Sequence, residues 1–436
     1  LLPTSTDFRG DYHLLQAISL IRKISDIQAD VSVGCTVFHE MHRLAQQQFP
    51  WQKPIYFKLS RLHRIYRDTA LSAVLESRTG LTISEYYLMG MATAGNFLTH
   101  PAIQLSREYT AVGISNSKRD AFLRLITFTL PELKQRTLET QEYNHNWSYT
   151  INPLRSTPLL IPTENPGIAI CPIPAYLLER ISDGIFFDVY STPGFENAYG
   201  DAYENYVGEI SKELSTPNLE ITKPKKYLTK KQEKRGADWI IFDKNSVLLI
   251  EAKAKRMSLG ARYQFETSAI ERELELMSKF LVQNYKNLVD IQDNLTGFQL
   301  QGRKIYPVIV TLFDWHLFSP QTREKLNKLL TTKLAKSGIP NSILSSNPFT
   351  IMPIDELESS IQIMNTTGIE KCMSLKCNST HQDWQMHPFL SSAFREESNQ
   401  LKYDYLKYEL NSIIHGAEDQ AGLPRTAPNI LDGAAP

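Results

Sequence analysis

The amino-acid sequence predicts an α/β protein: a mixed β-sheet flanked by helices, preceded by an all-helical N-terminal domain and followed by a helical extension. Three observations carry this. Residues 239–250 hold two apolar runs, Trp-Ile-Ile-Phe and Val-Leu-Leu-Ile, joined by the polar turn Asp243-Lys-Asn-Ser246, the pattern of a β-hairpin. Residues 266–291 then repeat apolar positions at helical spacing: Ile270, Leu274, Met277, Phe280, Leu281 and Leu288. Residues 305–313, Ile-Tyr-Pro-Val-Ile-Val-Thr-Leu-Phe, form a near-continuous apolar run, as a strand buried on both faces does. Strand, helix, strand at this spacing is a crossover closing one sheet, and residues 349–354 offer a further strand. The 436 residues divide accordingly into a helical domain (1–155), the α/β domain (156–365) and a helical extension with a disordered tail (366–436).

Composition sets limits on function. Lys plus Arg is 47 and Asp plus Glu is 47, so the formal net charge is zero. That excludes a wholly basic coating protein and an acidic disordered chain. Any function needing charge must concentrate it locally. Hydrophobic residues at 42% are ample for packed cores. Four cysteines are too few for a disulfide scaffold, and Cys372 and Cys377, the close pair, lack zinc partners at the usual spacing. No apolar run reaches the roughly 18–20 residues that span a bilayer. The first residues carry neither a basic start nor an apolar core, so no signal peptide is expected. A soluble, cytoplasmic protein without membrane contact is the expectation.

In the N-terminal part, Asp11 to Ile27 carries Leu14, Leu15, Ile18, Leu20, Ile21 and Ile24 at close to a 3.6-residue period. Thr82-x-x-Glu85 is a capping box opening a helix over 86–94, and Ser117-x-x-Asp120 resembles one opening 121–129. His39-Glu-Met-His42 lacks zincin spacing, which needs the two His at i and i+4, and reads as a polar helix face. Residues 158–174, rich in Pro and Ile, form an extended connector with short strands. Phe195 to Leu214 is helical again, with Phe195, Tyr199, Tyr203, Val207, Ile210 and Leu214 in one stripe. Glu204 sits one residue off that stripe, at the edge of the packed face.

The hairpin brings chemistry together. Because it folds back on itself, Asp238 at the start of one strand lands beside Glu251 and Lys253 at the end of the other. Glu251 and Lys253 are two apart in a strand and share a face. Two carboxylates and one ammonium then converge at the end of a buried strand, where such groups are expensive unless they have work. A hard cation such as Mg²⁺ takes oxygen ligands of this kind, with phosphate and water completing its shell. The metal lowers the pKa of bound water and neutralises charge on phosphoryl oxygens. Lys253 can orient or deprotonate that water, or offset charge on the scissile phosphate.

Asp238 followed by Glu251-Ala252-Lys253 resembles the PD-(D/E)XK nuclease superfamily, whose fold is called restriction-endonuclease-like. Gly200-Asp-Ala-Tyr203-Glu204-Asn-Tyr-Val207 is similar to the first-helix signature of its Mrr-like branch, and Gly236-Ala-Asp238 to that branch's Gly-x-Asp. Ala237 stands where the family name has Pro, a departure the superfamily tolerates. The resemblance covers roughly residues 195–315. It implies that Asp238 and Glu251 bind the metal together with the backbone carbonyl of Ala252, that Lys253 acts at the water, and that Glu204 completes the site. Mg²⁺ is the implied cofactor, with Mn²⁺ able to substitute. In some relatives a Gln with a nearby Tyr assists, and Gln283 and Tyr285 echo that pair at a different spacing. Many such nucleases with added helical domains act against foreign DNA in bacteria, so the resemblance implies antiviral defence.

Local charge appears between Lys223 and Arg235, where seven basic residues face one acid, Glu233, giving 7 − 1 = +6. Lys225, Lys226, Lys230, Lys231, Lys234 and Arg235, extended by Lys255 and Arg256 past the hairpin, are the candidates for holding a phosphate backbone, as a loop or flexible ribbon. No zinc finger or helix-turn-helix signature points to base readout. Farther on, 390–414 reads as helical through Phe394, Leu401, Tyr405, Tyr408 and Leu410, and from Gly416 the chain reads as disordered. The sequence therefore predicts a Mg²⁺-dependent endonuclease acting on DNA, with the N-terminal helical region available for a homodimer or partner protein. An RNase or junction resolvase using the same site, or a non-catalytic nucleic-acid-binding protein, are the alternatives.

Overall fold

Two helical layers enclose a five-stranded sheet. A computed structural model of the chain describes residues 11–31, 41–42, 44–46, 48, 54–141, 150–229, 232–264, 267–317 and 320–424. The strands are, in chain order, β1 (Ala102–Gln104), β2 (Thr127–Thr129), β3 (Leu159–Ile161), β4 (Ile168–Ile170), β5 (Glu220–Thr222), β6 (Tyr227–Thr229), β7 (Gln232–Lys234), β8 (Trp239–Phe242), β9 (Ser246–Lys253), β10 (Lys304–Thr311) and β11 (Thr350–Pro353). The main sheet runs β11-β10-β9-β8-β5. β9, β10 and β11 run parallel to one another, whereas β8 pairs antiparallel with both β9 and β5. The Thr267–Gln292 helix makes the β9–β10 crossover and the Pro320–Lys336 helix lies between β10 and β11, so the mixed sheet and its crossover follow the sequence pattern.

Each face of the sheet has its own core, because alternate strand residues point to opposite sides. Trp239, Ile241, Leu248 and Ile250 are buried with Tyr203, Val207 and Ile210 of the Phe195–Leu214 helix. Ile240, Val247 and Leu249 are buried on the other side with Leu274, Met277 and Leu281 of the Thr267–Gln292 helix. The first core also takes in Leu59 and Leu62 of the N-terminal Ile55–Tyr66 helix and Leu406 and Leu410 of the C-terminal Asp404–Ala421 helix.

Several expectations are corrected. The N-terminal part is not all-helical: β1 and β2 pair with β4 and β3 in a four-stranded sheet of order β1-β4-β3-β2. Three-residue strands carry too little periodicity to announce themselves. The Thr82/Glu85 capping box forms, but the following helix spans Asn116–Ile126 and is capped by Ser115, not Ser117. His42 is not on a polar face. It is buried, its Nε2 lies 3.2 Å from the Ala261 carbonyl, and burial foremost, with His316 nearby, pushes its pKa down to about 4. His39 lies outside the described residues. The C-terminal pattern is broken into Met386–Ala393, Arg395–Ser398 and Asp404–Ala421, so helix continues past Gly416, and Tyr408 is exposed. The Asp11–Val31 helix forms as its spacing predicts, with Leu14, Leu15, Ile18, Leu20, Ile21 and Ile24 all exposed. Among the described residues no helix is long and apolar enough to cross a membrane.

Candidate active site

The hairpin is built by its turn. Asp243 Oδ1 accepts hydrogen bonds from the backbone N–H of Asn245 and Ser246, both at 2.8 Å, an Asx-type turn that fixes where the chain reverses. That sets the register Trp239 opposite Ile250. One step beyond, the Asp238 N–H donates to the Ile250 carbonyl at 3.0 Å, so Asp238 stands opposite Glu251. The period of two puts Asp238, Glu251 and Lys253 on the face covered by the Thr267–Gln292 helix. It also puts the Ala252 carbonyl on the same strand edge as that of Ile250, while the Lys253 carbonyl turns to β10 and accepts from Leu312.

The three side chains meet. Lys253 Nζ lies 2.6 Å from Glu251 Oε1 and 4.0 Å from Asp238 Oδ2. Asp238 Oδ2 accepts from the Ala252 N–H at 2.7 Å. Glu251 is wholly buried, and its second oxygen, Oε2, has no hydrogen-bond partner. Burial, reinforced by the Glu251 charge, pushes Asp238 up to about 7, and burial raises Glu251 as well. Burial by itself would lower Lys253, but the two carboxylates overcome it and hold the ammonium charged above its ordinary range. In this arrangement Lys253 is the cation that links Glu251 and Asp238. Two carboxylates crowded together and an orphaned buried oxygen form a hard, electron-rich donor set, which fits a divalent cation of the Mg²⁺ class.

Glu204 approaches from the opposite layer. The Trp239 indole N–H donates to its backbone carbonyl at 2.8 Å, but its carboxylate is engaged by Lys223 Nζ at 2.7 Å. Its charge helps raise both Asp238 and Glu251. Among the described residues no three acidic, His or Cys side chains stand as a ready-made metal cage.

These groups line a cleft of about 1190 Å³ that also receives Lys223, Lys226, Arg235, Lys255 and Gln283. Among the described residues of the basic segment, β6 and β7 pair as a two-stranded antiparallel ribbon. Lys226 reaches Glu233 at 2.8 Å, Arg235 and Lys255 are exposed in the cleft, and Lys225 is exposed outside its lining. Two candidates are corrected. Lys234 turns away to Asp290, at 2.9 Å, which also accepts from the Tyr227 hydroxyl. Arg256 is buried, stacked over Phe313 and Phe186 and bonded to the Asp183 carbonyl at 3.0 Å, so it braces the wall. Lys230 and Lys231 lie outside the described residues. Tyr285 is buried against Asn347 and takes no part. Sequence reasoning missed Phe187 and Tyr190, which line the cleft; the signal was the aromatic run Phe186-Phe187-x-x-Tyr190, which starts within the short helix Ile185–Val189 and ends at its C-cap.

No protein-family model matches the chain, and no curated protein matches it. Among solved structures, the chain is similar to the small subunit of the heterodimeric restriction endonuclease R.BspD6I, with 13% identity and a TM-score of 0.19 over 53% of this chain and 96% of that one.

Proposed function

We propose that this protein is a Mg²⁺-dependent nuclease that hydrolyses phosphodiester bonds in DNA, built on the PD-(D/E)XK arrangement its sequence resembles. The carrying observation is the buried Asp238–Glu251 pair, bridged by Lys253 at 2.6 Å from Glu251, opening into a cleft lined by Lys223, Lys226, Arg235 and Lys255. Holding two like charges together in a buried place costs free energy, and a structural role would be served as well by neutral residues.

Asp238 and Glu251 would hold the ion, with the Ala252 carbonyl on the same edge. Bound there, it would supply a water of lowered pKa and neutralise charge growing on the phosphoryl oxygens. Lys253, kept charged by both carboxylates, offsets negative charge on the scissile phosphate. Glu204 adds negative potential from the second layer. Lys223, Lys226, Arg235 and Lys255 hold the flanking backbone without reading sequence. Defence against foreign DNA is the setting the resemblance implies, with Mn²⁺ able to replace Mg²⁺.

Calorimetric titration with Mg²⁺, alongside cleavage of linear and circular DNA with Mg²⁺ or EDTA, tests this. Wild type is expected to bind the ion and cut, Asp238→Asn to lose both, and Lys253→Ala to retain the ion and lose cleavage. Equal cutting by all three would remove these residues from the mechanism.

A further inference from the structure

Phe187 and Tyr190 line the same cleft as Asp238, Glu251 and Lys253, yet are 48% and 55% exposed. Rings of this size are ordinarily core material, and the neighbouring Phe195 and Tyr199 are buried. The exposed pair is held from behind. Phe186 stacks on Tyr190 with centroids 5.8 Å apart and planes at 12°, and packs edge-to-face on Phe195 at 5.5 Å. The Arg256 guanidinium lies 5.5 Å over Phe187 and 5.0 Å over Phe186, and is itself anchored by Asp183. Braced rings lose little conformational entropy when something stacks on them.

What would stack there is set by the surroundings. The cleft presents ammonium and guanidinium groups for phosphates, and π-faces for flat apolar groups. Nucleic acid supplies both together when its bases are unpaired, because the bases inside a duplex already stack on one another. We infer that the cleft takes an unpaired stretch of a nucleic-acid strand, as in a single strand, frayed end or flap, stacking its bases on Phe187 and Tyr190 while its backbone passes Lys223, Arg235 and Lys255. This rests on the phosphodiesterase reading above and narrows its substrate.

The test uses the full chain in EDTA, which keeps the oligonucleotides intact. Fluorescence anisotropy measures binding of a short oligothymidine, the matching oligouridine and a blunt DNA duplex. Wild type is expected to prefer the single strands. Phe187→Leu with Tyr190→Leu keeps apolar bulk but removes both π-faces. It should weaken single-strand binding by about tenfold per stacked base and leave duplex and Mg²⁺ binding unchanged. Tyr190→Trp should retain affinity and show indole quenching when oligothymidine binds. An equal loss for both oligonucleotides supports stacking as the shared chemistry, whereas a loss for oligothymidine alone assigns the platform to DNA.

Two results overturn the inference: wild type binding the blunt duplex as tightly as single strands, or the double Leu variant binding oligonucleotides as wild type does. The latter is what a protein-docking use of these rings predicts. The two readings fail separately. Single-strand binding undiminished in the double variant, with Mg²⁺ binding and DNA cleavage intact, removes the platform and leaves the hydrolase. Single-strand stacking without Mg²⁺ binding or cleavage removes the hydrolase and leaves the platform.

Discussion

The Trp239 indole occupies the space a side chain at position 208 would need: a Cβ on Gly208 would sit 1.9 Å from the Trp239 ring. Gly208 thereby lets the Phe195–Leu214 helix lie close against β8, and the Trp239 N–H reaches the Glu204 carbonyl one turn earlier at 2.8 Å. Trp239 is also the residue next to Asp238. Helix placement and site placement are thus one contact. Gly208→Ala should cost about 1–3 kcal/mol, the usual range for overpacking, and weaken Mg²⁺ binding by moving Asp238. Urea unfolding and calorimetry check this. An unchanged unfolding midpoint would mean the helix accommodates the methyl group.

The carboxylate pair should make the metal-free protein less stable as pH rises. Asp238 has an ordinary value of 3.8 and is pushed up to about 7 in the fold, chiefly by burial. A carboxyl that holds its proton more tightly when folded contributes stability that is complete below about 3.8 and lost as pH climbs to about 7. Denaturant unfolding in EDTA should show that decline. Asp238→Asn should flatten it and leave the variant more stable than wild type at pH above 7. A wild-type profile flat across this window would contradict the burial of the pair.

Mg²⁺ affinity should follow the same group in the opposite direction. Below about 7 the ion must displace the Asp238 proton, so affinity should rise with pH by up to about tenfold per unit and level off above it. Calorimetry in buffers of different ionisation enthalpy would report the released proton. No proton release would assign the ion to another site.

Cations that look alike in sequence should separate in experiment. Arg235→Glu with Lys255→Glu should weaken DNA binding and flatten its salt dependence by roughly 0.9 per lost phosphate contact. Lys234→Ala should leave the salt slope in place, because Lys234 lies outside the cleft lining and pairs with Asp290. Arg256→Ala should lower stability by about 2 kcal/mol or more, since it strips a buried group from Asp183 and three aromatic rings. Equal salt-slope changes at all four positions would reject this division.

Much of the site could be read in the sequence because its geometry is local. A tight turn and a period of two are enough to place Asp238 beside Glu251 and to put Lys253 on their face, and the hairpin register follows. The long elements, Phe195–Leu214 and Thr267–Gln292, announced themselves by sustained apolar spacing. β1 and β2 did not, for three residues carry no measurable period. Arg256 could not be told from Lys255 by type or neighbourhood, and only burial separates the braced guanidinium from the exposed ammonium.

By itself the sequence determined the hairpin, its turn and which charged groups must lie at its open end, because hydrogen-bond register and strand alternation act over a few residues. Tertiary structure alone decided that Glu204 is engaged by Lys223, that Lys234 turns to Asp290, and that Phe187 and Tyr190 stay exposed in the cleft. Those outcomes depend on which distant segments compete for each side chain, and that competition is settled only once the layers have packed.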